Sequence, residues 1–173
     1  MKKHLLLFAL IAVSALSGCL GMPQTIQPVK PFELDKYLGK WYEVARLDHS
    51  FERGLTQVTA QYSKRADGGV KVVNRGYNID ENEWEEAEGK AYFVNKENEG
   101  YLKVSFFGPF YGSYVVFELE KQNYDYAFIS GPNNDYLWLL SRTPVVSSAV
   151  KAKFERLAIE HGFAVDQLIY VQQ

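Results

Sequence analysis

Leu38-Gly39-Lys40-Trp41-Tyr42-Glu43-Val44-Ala45-Arg46 opens a series of strand-like runs, and Leu137-Trp138-Leu139-Leu140-Ser141-Arg142, far downstream, closes it. A Gly two residues ahead of a Trp at the mouth of a strand suits a place where another backbone approaches closely while the indole plugs the space beneath. The segment just before it, Pro31 to Tyr37, reads as a turn or a single helical turn.

From Gly39 onward eight runs of strand character follow one another, at roughly 39–49, 56–65, 69–78, 84–94, 100–107, 113–120, 124–130 and 135–142. Turn chemistry rather than helical breaks separates them, as in Asp67-Gly68-Gly69, Gly108-Pro109, Lys121-Gln122-Asn123 and Gly131-Pro132-Asn133-Asn134. Connections this short favour an antiparallel meander. Alternation then sorts the faces. Gln57, Thr59, Gln61 and Ser63 alternate with Val58, Ala60 and Tyr62, and Lys71, Val73 and Arg75 alternate with Val70, Val72 and Asn74. In the fourth run Glu86, Glu88 and Lys90 oppose Ala87, Gly89, Ala91 and Phe93; in the sixth, Glu118 and Glu120 oppose Val115, Phe117 and Leu119. One face is wet in run after run.

A meander with one wet face must hide the other, and closing the sheet on itself does so while removing its edges. The expected fold class is therefore all-β, an eight-stranded antiparallel up-and-down β-barrel, with a packed sandwich as the competing solution. The inner residues Ala60, Ala87, Gly89, Ala91 and Ala127 are small, which leaves volume for one small ligand in a barrel of this size. After the eighth run Pro144 breaks the chain and Ser147 or Ser148 caps one C-terminal helix. Val150, Phe154, Leu157, Ala158 and His161 recur there at helical spacing, a face to pack outside the barrel, and Gly162 is a natural stop. Leu168-Ile169-Tyr170-Val171 offers a short ninth strand.

Strand parity adds a constraint. Odd strands of an up-and-down barrel run one way and even strands the other, so Trp41, starting strand one, and Arg142, ending strand eight, fall at the same end. They are neighbours where the barrel closes, beside the turn Gln122 to Ala127. A guanidinium over an indole contributes about 0.5–2 kcal/mol and would seal that end.

The composition, 47% hydrophobic and 15% aromatic against 23% charged, is that of a globular chain and argues against disorder. A net charge of −2 with no basic run beyond the extreme N-terminus argues against nucleic acid as a partner. Met1-Lys2-Lys3-His4 and the apolar run Leu5 to Leu16 have the form of a secretory signal over residues 1–18, short for a transmembrane helix. The run ends in Leu16-Ser17-Gly18-Cys19, which resembles the bacterial lipobox, and Cys19 is the single cysteine of the chain. The expectation is a lipid-anchored mature protein without an internal disulfide, attached to the membrane through Cys19. Residues 19–31, with Pro23, Pro28 and Pro31, read as the lipidated N-terminus and an extended tether, and 32–173 as the barrel domain.

Gly39-x-Trp41-Tyr42-Glu43, Asn123-Tyr124-Asp125-Tyr126-Ala127 and Arg142 resemble the three signature segments of lipocalins, with Gln122 where the family usually has Thr. The likeness runs from about Phe32 to Gln173. With the lipobox, Phe106 to Gly112 and Asp135-Tyr136-Leu137-Trp138, the chain resembles a bacterial lipocalin of the outer-membrane lipoprotein group. That resemblance implies a carrier of fatty acids or lysophospholipids without a cofactor. Leu20 after the lipidated Cys points, by the same resemblance, to the outer membrane with the barrel facing the periplasm.

With Trp41, Gly39 and Arg142 at the closed end, a ligand enters at the other, among the turns after strands one, three, five and seven. The expected lining is Val58, Ala60 and Tyr62 from the second strand, Val72, Asn74 and Tyr77 from the third, and Ala87 from the fourth. Val104 and Phe106, and then Tyr136, Trp138 and Leu140, complete it. Asn74 and the tyrosines are candidate polar anchors. Phe106, Phe107, Phe110 and Tyr111 gather at the open end, either packing on one another or facing the bilayer or a second copy in a homodimer. Glu43 is an anomaly, because alternation from Trp41 points it inward, where a lone carboxylate is costly. A bulge or a buried partner would resolve it.

Catalysis is not expected. His49 and His161 are the only histidines after the signal, and neither a Gly-x-Ser-x-Gly nor a His-Glu-x-x-His is present. His49 beside Asp48 reads as a solvated rim pair, and no metal site is expected. The remaining alternatives are a tetrapyrrole carrier, for which His49 is the one plausible axial ligand, and a structural envelope lipoprotein with a filled barrel.

Overall fold

A computed structural model describes residues 20–173; the signal-like segment and Cys19 lie outside the described residues. A one-turn helix α1 (Leu34–Tyr37) leads into β1 (Gly39–Arg46), β2 (Leu55–Lys64), β3 (Val70–Asn78), β4 (Glu83–Phe93) and β5 (Tyr101–Ser105). Then come β6 (Gly112–Leu119), β7 (Tyr126–Ser130), β8 (Leu137–Ser141), helix α2 (Ser148–Glu160) and β9 (Ile169–Tyr170). From β1 to β8 each strand pairs antiparallel with the next, β1 closes the ring by pairing with both β2 and β8, and β9 adds to β1. The expected barrel is therefore observed, with its helix and ninth strand.

Two apolar clusters sit on opposite sides of the wall. Inside are Trp41, Ala60, Tyr62, Val72, Ala91, Leu102, Val116, Ala127, Ile129 and Leu140. Outside, under α2, lie Val44, Leu47, Val115, Phe128, Leu137 and Leu139, covered by Phe154 and Ala158. Ser147 caps α2, its hydroxyl accepting from the Val150 amide, and Gly162 ends the turn beyond it at φ +80°. The outer cluster explains where alternation misleads. Val115 and Phe117 of β6, read as inward, face the helix, and Tyr114 and Val116 point into the barrel. A register shift between Val116 and Glu118 then returns Leu119 to the interior. A wall that carries a helix has no wet face.

Residues 20–31 are docked rather than a free tether. The Gly21 amide donates to Ser113 Oγ (2.9 Å), Ile26 is 1% exposed in the outer cluster, and Val29 pairs with Val116 and Gly100. Burial of Ile26 and Val29 outweighs what the prolines and the scarcity of charge suggest in the sequence.

β1 and β2 pair only through Gly39–Tyr42 and then part, β1 continuing against β8. The C-terminus stitches the gap. The Val171 amide donates to Val44 O, the Gln57 amide to Gln172 O, and the Gln173 side chain to Glu43 O and Val58 O.

Candidate ligand-binding site

The floor is built as parity requires. Trp41 is fully buried, its indole N–H donates to Tyr37 O (2.8 Å), and the Arg142 guanidinium lies 3.9 Å from the ring centroid. Arg142 also donates to Lys40 O (2.9 Å) and Lys36 O (2.7 Å), tying the end of β8 to the start of β1 and to α1. Gly39 has φ +97°, a conformation that costs a side chain, and sits against that guanidinium.

Above the floor lies a cavity of about 100 Å³. Its wall is mainly apolar. Val58, Ala60 and Tyr62 of β2, Val72 and Asn74 of β3, Val104 and Phe106, and Trp138 and Leu140 line it, as parity places them. A side chain at Gly89 would meet the Phe106 ring at 2.8 Å, so the missing side chain lets that ring lie flat on the wall.

Three expected lining residues stand elsewhere. Tyr77 shares the outward face of Arg75; its hydroxyl donates to Asn82 Oδ1 (2.5 Å) and its ring packs edge-on against Trp84. Ala87, opposite Asn74, has the inward parity but is exposed above the enclosed volume, where β4 outruns β5. Tyr136 precedes β8 and stacks at the rim against Trp138 and His49, 6.0 and 6.1 Å between ring centroids.

Sequence reasoning reached two polar stations only in part: Tyr62, Asn74 and an inward Glu43 were expected, and Tyr37, Tyr114, Arg46 and Glu52 were not. The first is a trio of phenols near the floor: the Tyr37 and Tyr114 hydroxyls are 2.6 Å apart and those of Tyr62 and Tyr114 3.0 Å. Burial pushes all three phenols above their ordinary range, so they stay protonated. The inward parity of β6 would have found Tyr114 had Val115 not been placed inside. Nearby, Asn74 Oδ1 is buried without a partner, a free acceptor on the cavity wall.

The second station resolves the Glu43 anomaly, through a bulge and a partner together. The register of β1 against β8 shifts between Glu43 and Ala45, so Val44 and Ala45 both face outward and Arg46 turns back inside. Arg46 Nη1 donates to Glu43 Oε1 (2.7 Å) and Nη2 to Glu52 O (2.7 Å) and Leu55 O (3.3 Å). Glu52 Oε2 accepts from the Trp138 indole N–H (3.2 Å) and lies 3.0 Å from His49 Nε2. All four charged or titratable groups, Glu43, Arg46, His49 and Glu52, are buried. Burial, with the Glu52 charge adding to it, pushes the Glu43 carboxyl well above its ordinary range against the pull of Arg46. Burial works to raise Glu52 too, but His49, Trp138 and Arg46 overcome it and hold that carboxyl below its ordinary value. The two carboxyls are thus pushed in opposite directions, Glu43 toward its protonated form and Glu52 toward its ionised one. Glu43 and Glu52 both border the cavity.

His49 is thus not a solvated rim pair with Asp48. Asp48 pairs with Arg53 (2.6 Å), and the buried imidazole stacks on Phe51 (4.0 Å between centroids) and faces Glu52. His49 packs at the rim against Phe51, Tyr136 and Trp138 and does not line the cavity. Among the described residues no group of His, Cys, Asp and Glu is arranged to hold a metal ion.

A closed meander, stoppered by an indole under a guanidinium and hollow above it, defines a barrel that binds small apolar molecules. Residues 32–173 match the family described as a lipocalin-like domain, and the chain belongs to the lipocalin family. It is 65% identical to the outer membrane lipoprotein Blc of Vibrio cholerae over 96% of this chain and 98% of that protein. It is 52% identical to the outer membrane lipoprotein Blc of Escherichia coli K12 over 87% of this chain and 85% of that protein. Insecticyanin of the tobacco hornworm Manduca sexta superposes with a TM-score of 0.69 at 20% identity, covering 88% of this chain and 87% of that one, a likeness of fold alone.

Proposed function

We propose that this chain is an outer-membrane lipoprotein, acylated on Cys19 and facing the periplasm, that carries a fatty acid or a lysophospholipid for transport, storage or scavenging in the cell envelope. The observation that carries this reading is the cavity: its wall is aliphatic and aromatic from Val58 to Leu140, it is stoppered at one end, and its few polar groups are clustered rather than dispersed. A single acyl chain fits such a lining, gaining about 0.8 kcal/mol per methylene buried before the costs of association. The phenol trio and Asn74 Oδ1 offer hydrogen bonds to an ester or carboxyl group, and the Glu43 to Glu52 cluster marks a second polar station. The relatives named for the outer membrane support the location. The chain acts as a carrier, not as an enzyme.

Trp138 on the cavity wall supplies the test. In the protein with Trp41 and Trp84 replaced by Phe, dibromostearate and a dibrominated lysophospholipid are expected to quench Trp138 fluorescence saturably at one ligand per barrel. Absence of quenching by either lipid would overturn the reading.

A further inference from the structure

We propose that the open rim of the barrel rests on the bilayer that holds the lipid anchor, so that acyl lipid passes between membrane and cavity at the rim. The inference goes beyond the carrier reading and takes from it the acylation of Cys19.

The path of the N-terminal segment carries the argument. Odd strands lead away from the Trp41 floor, so the loops 47–54, 79–82, 106–111 and 131–136 form the rim. Gly21 lies at that end: its amide donates to Ser113 Oγ at the start of β6, and its Cα faces Pro132 O in the loop after β7. From there the chain descends the outer wall. Thr25 donates to His161 O, Ile26 is buried under the outer cluster, Val29 pairs with Val116, and Phe32 reaches the inner cluster. Only Leu20 separates this docked segment from Cys19, a reach of about 3.5 Å per residue. An anchor on Cys19 holds the rim at the membrane; presenting the floor instead would require stripping residues 20–31 from the wall.

The rim has the surface for that contact. Phe107 is 80% exposed, Phe110 59% and Phe51 56%, and the hairpin 106–111 has no charged residue. Leu20 adds a further exposed apolar side chain. Isolated exposed apolar residues are ordinary, but several gathered at the mouth of an apolar cavity mark an interaction surface. The charges of the other rim loops are mostly acidic, Asp80, Glu81 and Asp135 with the Asp48–Arg53 pair. Two such rims face to face would repel, which disfavours a second copy, and attraction to anionic headgroups is not available. The occupant that fits is the apolar and zwitterionic surface of a bilayer, reached by inserting the aromatic side chains.

The test uses the mature, acylated protein in vesicles of phosphatidylethanolamine with a minor fraction of phosphatidylglycerol. Cys19 is the only cysteine and is consumed by acylation, so Phe107→Cys at the rim and Lys121→Cys at the closed end each take one environment-sensitive fluorophore. The label at 107 is expected to be quenched by nitroxides on the lipid acyl chains and the label at 121 to be untouched. Salt at about 1 M, where screening shortens to about 3 Å, should leave this pattern in place. Quenching at 121, or at neither position, overturns the proposal. So does a label at 107 that is shielded from water yet insensitive to lipid nitroxides, which assigns the rim to a second copy. Phe107→Ser combined with Phe110→Ser is expected to slow lipid uptake from vesicles at least about tenfold while leaving binding from dilute solution unchanged; unchanged uptake also overturns it. The depth measurement needs no cargo, so its failure is distinct from failure of the carrier reading.

Discussion

Ala60→Phe and Val72→Phe are each expected to weaken binding of a fatty acid or lysophospholipid by about a hundredfold or more while the barrel stays folded. Both side chains point into the cavity, Ala60 from the strand beside Trp41 and Val72 opposite Tyr62 and Gly89. A benzyl group there displaces the stretch of acyl chain lying against that wall. Excluding about four methylenes at about 0.8 kcal/mol each removes about 3 kcal/mol, a factor of about two hundred. Overpacking a filled core costs about 1–3 kcal/mol, and growth into open volume costs less, so thermal unfolding should shift little. Loss of binding in both variants with retained melting places the ligand in the barrel. Undiminished binding in both places it elsewhere.

Arg46→Met is expected to destabilise the fold by about 3–5 kcal/mol at neutral pH, because it removes the cation facing Glu43 and leaves two carboxyls in the interior. The pH dependence identifies the cause. Glu43 titrates above its ordinary value of 4.5 in the folded state, so the folded chain holds a proton that the unfolded chain has lost; its contribution is present below that value and fades as pH rises through the folded one. Glu52 has the opposite sign: held below 4.5, it stabilises above that value, and the gain is lost as pH falls through the folded one. Glu43→Gln should therefore be increasingly favourable relative to the parent as pH rises above 4.5, and Glu52→Gln unfavourable at neutral pH. Removing Arg46 steepens the decline with rising pH, and adding Glu43→Gln to Arg46→Met should recover part of the loss. Denaturant titrations across the pH range check each statement. A pH-independent cost of Arg46→Met would mean that lost packing, not buried charge, governs the site.

The barrel was readable because closure repeats one rule many times over: turn residues between short runs, and an inner side chain at every second position. The end assignment of Trp41 and Arg142 followed from parity alone, with no distance needed. The same rule failed wherever the wall is not solvated or the register shifts. Val115 and Phe117 have the composition of an inner face because α2 covers them. Arg46 reaches Glu43 only because Val44 and Ala45 occupy the same side of a bulge, and nothing in the local sequence marks that extra residue. Sequence proximity suggested Asp48 for His49, and the loop geometry supplied Glu52. Ala87 shows the limit at the rim, where β4 outruns β5 and inward parity still leaves a side chain exposed; an inward Tyr77 goes against the rule itself, since it shares the parity of Val73 and Arg75.

The most direct test of the carrier reading is a count of lipid on the barrel itself. Mature protein recovered from lipid vesicles and examined by native mass spectrometry is expected to hold one noncovalent fatty acid or lysophospholipid, and Ala60→Phe is expected to hold none. A bare barrel in both, or equal lipid on both, would contradict it.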